Sequence, residues 1–122
     1  MSVTPVSDGF KAIDRLRELR AGWDSYAADR PGELALKHAE DCLLSVSQAL
    51  GSAYVNPAID PIPDPGVALV WRKKGHGEVD ALFSASTSRY IVIDSRREIV
   101  TKGELKNYET FALQVLKPFV SL

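Results

Sequence analysis

The chain has little of what usually announces a chemistry. One cysteine, Cys42, stands in 122 residues. An intramolecular disulfide is therefore excluded, and a thiolate metal site would need mostly other ligands. Only two histidines occur, His38 and His76, and neither has a partner at metal-ligand or acid–base spacing. The longest apolar run, Val67–Trp71, is far short of the ~20 residues that span a bilayer. No basic segment followed by an apolar one opens the chain. With an unpaired cysteine, this predicts a cytoplasmic protein without a membrane span. Gly75-His76-Gly77 lacks the third glycine and the following helix of a dinucleotide fingerprint, and no phosphate-loop motif occurs. No catalytic residue, metal or cofactor is expected.

The net charge is −1, whereas a dedicated nucleic-acid binder carries a basic excess. The charge is unevenly spread. Residues 1–66 hold six Lys/Arg against ten Asp/Glu, and residues 67–122 hold nine against six. What is present is apolar material: 45% of residues are hydrophobic, with two Trp, four Tyr and four Phe. A chain of this length and content buries a core without staples.

One domain is expected over 1–122. Residues 1–6 read as a loose tail. Phe10, Ile13, Leu16 and Leu19 recur at helical spacing, and Gly22 offers a stop. Pro31 opens a second helix whose inner side is Ala35, Ala39, Cys42, Leu43, Val46, Ala49 and Leu50, closed by Gly51. The two form a helix hairpin over 7–51. Residues 56–66, NPAIDPIPDPG, hold four prolines. That excludes a helix and a central strand, and predicts an extended, polyproline-like connector. The apolar period then changes to two. Strands are expected at 67–73, 78–84, 89–94 and 98–105, the last irregular at Gly103, as an antiparallel meander over 67–105. Asn107 caps a final helix, 107–118, that Pro118 ends. The fold class is α+β, order ααββββα, a two-layer sandwich of a four-stranded sheet and helices.

Three pieces, LRAGWDSYAA at 19–28, PIPDPGVALVW at 61–71 and the alternating strand after them, resemble a group of small bacterial and phage proteins. The group is marked by a G-W-D-G-Y-G-A helix connector and a P-x-P-D-G-G-x-x-L-x-W strand entry. The resemblance implies a fold but no established activity, and a loose tie to mobile or defence-related gene sets. This chain departs from the pattern at Ser25, Ala27, Pro65 and Arg30-Pro31.

Three groups of residues are candidates for binding. Trp23, Asp24 and Tyr26 form either a stacking surface or, the reading favoured by the turn chemistry of Asp and the bulk of Trp, a structural anchor. Arg72, Lys73, Lys74, Arg96 and Arg97 fall on alternate turns of a meander, hence at one sheet end. There they would meet phosphates or an acidic protein surface, unless they serve only solubility. Ala68, Val70, Leu82, Tyr90 and Val92 are expected to share the second sheet face, covered by a partner or by self-association into a homodimer. Cys42, on the inner side of its helix, reads as a core residue. The expected function is a small non-enzymatic protein-binding module, a mobile-element or phage-type inhibitor or accessory protein acting on a protein partner. A small enzyme or nucleotide-binding domain is the alternative, and would need Asp24, Tyr26, Arg72 and His76 in one pocket. Nucleic-acid contact through the basic end is a weaker third.

Overall fold

The computed structural model describes residues 5–18, 32–62, 66–84 and 86–122. Trp23, Asp24, Tyr26, Gly22 and Pro31 lie outside the described residues. Helix α1 spans Pro5–Arg17, and α2 spans Glu33–Leu50. Thus α1 begins inside the stretch expected to be a tail. Proline is well placed in a first helical turn, where its missing N–H is not needed. Gly51 ends α2 in the left-handed region, φ 55°, donating its N–H to the Ser47 carbonyl. Arg17 ties the helices together by pairing with Asp14 of α1 and with Glu33 and Glu40 of α2.

The sheet has five strands, not four: β1 Ala58–Ile62, β2 Gly66–Lys73, β3 Gly77–Phe83, β4 Ser88–Ile93 and β5 Ile99–Glu104. They form an antiparallel meander in sequence order. The additional strand comes from the proline-rich connector, which pairs with β2 from Ala58↔Val70 to Ile62↔Gly66. Prolines exclude a central strand but not an edge strand, which needs donors on one side only. The irregularity of β5 lies at its start, opposite Val92/Ile93, and not at Gly103. Gly103 keeps its register beneath the Tyr90 ring, where a Cβ would meet Cε1 at 3.1 Å.

The last helix, α3, joins Tyr108–Phe111, a π turn at Ala112–Leu116 and Lys117–Val120. The Asn107 side chain caps it by accepting from Thr110 N–H at 2.9 Å. Pro118 does not end it. A widened turn just before a proline relieves the clash its ring would make with the carbonyl four residues back.

One core holds Ile13 and Leu16 of α1, Leu36, Leu43 and Val46 of α2, Val67, Leu69, Trp71, Val79, Ala81 and Phe83 of the sheet, and Phe111, Leu116 and Phe119 of α3. All three helices therefore pack on one face. The fifth strand widens the sheet by about 4.8 Å. There is room for α1 against β1 and for α3 at the other end, where Phe111 meets Trp71 at 6.2 Å and Tyr90 at 5.6 Å.

Candidate functional site

Because the helices share one face, no other described helix or strand lies on the second. The register sets its membership. Ala68 pairs with Asp60 and Leu82, and Val70 with Ala58 and Asp80. Asp80 pairs onward with Ile91, and Glu78 with Ile93. Directly opposed residues share a face. The second face thus carries Ala68, Val70 and Leu82 together with Glu78, Asp80, Ile91 and Ile93. Ala68 and Val70, expected to be open to a partner, are buried at 5% and 7% exposure, while Leu82, Ile91 and Ile93 are half-buried. Tyr90 and Val92 are corrected to the helix face: they oppose Ala81 and Val79 and pack against the core. Apolar residues at every position from Tyr90 to Ile93 give no alternation from which the strand's parity could be read.

The end of this face nearest the β2–β3 turn holds an ionic group that sequence reasoning missed. Glu78 is 4% exposed. It accepts a hydrogen bond from Arg97 Nη1 at 2.6 Å and lies 3.6 Å from Arg72 Nε. Arg72 is its cross-strand partner on β2. Arg97 reaches it from the β4–β5 turn, where its backbone is left-handed at φ 67°. Asp94 builds that turn. Its carboxylate accepts from the Arg96 and Glu98 N–H groups at 2.9 and 3.1 Å, and its carbonyl from Arg97 N–H at 3.0 Å. The turn's own hydrogen bonds thereby hold a non-glycine residue in a costly conformation.

Two positions along β3, on the same side, Asp80 shares a side-chain hydrogen bond with Glu78. Its Oδ1 is buried and has no hydrogen-bond partner among the described residues. Burial, then the adjacent Glu78 carboxylate, pushes the Asp80 carboxyl up to about 7. The hydrogen bond from Asp80, followed by that from Arg97, holds Glu78 below the usual carboxylate range. Asp80 therefore keeps its proton to higher pH than an ordinary aspartate, beside a Glu78 that favours the ionised form. A readable signal existed: Glu78 and Asp80 stand at strand spacing, and a tight turn at 74–76 sets Arg72 opposite Glu78.

The basic residues do gather at one sheet end, but most are engaged. Arg72 and Arg97 pair with Glu78. Lys73 Nζ donates to the carbonyls of Val120 and Leu122, closing the end of α3 onto the sheet. Among the described residues, Lys74 and Arg96 make no ion pair, and both are exposed. His76 is exposed in the β2–β3 turn. His38 lies elsewhere, in a cleft of about 370 Å³ with Ser84, Ser86, Thr87, Ser88, Glu104, Leu105 and Lys106. Its Nδ1 is 3.4 Å from the Tyr108 hydroxyl, and the Ser84 and Thr87 hydroxyls bond each other at 2.9 Å. Cys42 is fully buried, and burial pushes its thiol well above its usual range. Among the described residues no three His, Cys, Asp or Glu side chains cluster as metal ligands, and no helix is long and apolar enough to cross a membrane.

No protein-family model, curated protein or solved structure matches the chain.

Proposed function

We propose that the chain is a non-enzymatic protein-binding module that takes a protein partner on the second face of its sheet. The observation that carries this reading is the one-sided packing of α1, α2 and α3. It leaves Leu82, Ile91 and Ile93 half-buried around Glu78 and Asp80. By the same register Asp60, Arg72, Arg89, Lys102 and Glu104 share this face. A surface that mixes half-buried apolar side chains with charges of both signs suits a specific protein contact: apolar area supplies the driving force, and the charges select the partner.

Two other readings draw less support. Phosphate contact through the basic end meets Arg72 and Arg97 already paired, and Lys73 already bonded to carbonyls. The enzyme reading needs Asp24, Tyr26, Arg72 and His76 in one pocket. Asp24 and Tyr26 lie outside the described residues, Arg72 lies against Glu78, and His76 is exposed at a turn.

The test is affinity capture by the native chain, by Leu82→Arg and by Leu44→Arg, an exposed control on α2. A protein held by native and Leu44→Arg chains but released by Leu82→Arg supports the proposal. Retention indifferent to Leu82 removes it.

A further inference from the structure

The outer edge of β5 is the second open surface of the sheet. Ile99 and Val100 are 57% and 61% exposed there. We infer that a second copy of this chain pairs along this edge, antiparallel and centred on Gly103, to make a continuous ten-stranded sheet. The inference stands apart from the docking face proposed above.

The backbone supplies the first argument. Leu105 donates its N–H to Ser88 at 2.9 Å, and the β4–β5 register stays in step from there to Thr101. Hydrogen-bonding direction alternates along a strand. Gly103 and Thr101 therefore turn their N–H and C=O groups toward β4, while Lys102 and Glu104 turn theirs outward; at Val100 the irregularity opposite Val92/Ile93 breaks the alternation. An edge with outward groups is a template for another strand.

Symmetry and charge select the occupant. Two identical edges pair antiparallel about a two-fold axis normal to the sheet, and that axis passes through one residue. With the axis at Thr101, Glu98 would oppose Glu104 of the second copy. With it at Lys102, that lysine would oppose itself. With it at Val100 the pairing would need Glu98, whose carbonyl already accepts from Asp94 at 2.9 Å. With the axis at Gly103, Lys102 opposes Glu104 of the second copy, twice by symmetry. Glu104, 3.4 Å from Lys106 Nζ of its own chain, then sits between Lys102 of the second copy and Arg89, its partner on β4. Gly103 puts no side chain at the axis. Because the axis is normal to the sheet, both second faces lie on the same side of the ten strands.

The test is light scattering after size exclusion over a micromolar-to-millimolar concentration series, with folding checked by circular dichroism. The native chain should approach twice its 13.4 kDa mass. Lys102→Glu and Glu104→Lys should each weaken the dimer by roughly tenfold or more, since each sets like charges opposite one another twice. The double variant should restore it. A native chain that stays monomeric overturns the inference. So does a dimer indifferent to both single changes, or a double variant no better than either single one.

Discussion

At Asp80 a carboxyl is placed between Val70 and Ile91, and beside an ionised Glu78. Its titration has a definite sign. The folded value is raised to about 7, while an unfolded aspartate titrates near ~3.9. Across that window the folded chain holds a proton that the unfolded chain has released. Stability from this group is full below the unfolded value and is lost as pH rises through the folded one. Asp80→Asn, whose amide also donates to Glu78, should flatten this decline. Urea denaturation should find the variant more stable than native at pH 8, with the difference shrinking toward pH 5; an unchanged profile would contradict it. The cations matter for the same reason. Replacing Arg72 and Arg97 together by Ser strips a buried carboxylate of both partners, so the melting temperature should fall despite the exposure of both arginines. Gly77 adds a backbone constraint: its φ is 91°, and a Cβ would overlap the Ile93 carbonyl oxygen. Gly77→Ala should cost on the order of 3 kcal/mol, and Gly75→Ala, at φ 81° but in open space, about 1 kcal/mol by the same denaturation.

Among the elements, α3 depends on its first turn. Removing the Asn107 cap leaves the Thr110 N–H unsatisfied, so Asn107→Ala should lose about 1 kcal/mol in denaturant titration. That cap was legible in the sequence, as were the inner side of α2 and its Gly51 stop. Each rests on a local signal, either a period or a capping residue. What was not legible depended on a neighbour. Prolines read as a break until β2 lies alongside and makes residues 58–62 an edge. The uniform apolarity of 90–93 leaves its parity to be set by the pairing with β3. The continuation past Pro118 needs the π turn before it. The ionic group was missed in the same way, for Arg97 and Glu78 are 19 positions apart and meet through a turn that Asp94 shapes.

For the whole molecule, one core on one face means that neighbouring positions of a single strand answer to different surroundings. Ala81 is fully buried between β2 and β4, opposed by Leu69 and Tyr90, and faces the helices. Leu82 follows it directly, half-buried on the second face beside Ala68 and Arg89. An arginine at 81 would have to bury its charge inside a packed core with no partner. At 82 its stem would lie along Ala68 while the guanidinium reached water. Ala81→Arg should therefore cost more than about 4 kcal/mol and abolish cooperative unfolding, whereas Leu82→Arg should cost less than about 1.5 kcal/mol. Near-ultraviolet circular dichroism, which reports the packing of Trp71 against Phe111, should vanish in the first and persist in the second. Equal losses would mean that the second face is covered as thoroughly as the first. The reading of that face as a docking surface would then fall, while the β5 edge, on a different strand, would stand or fall by its own charge reversals.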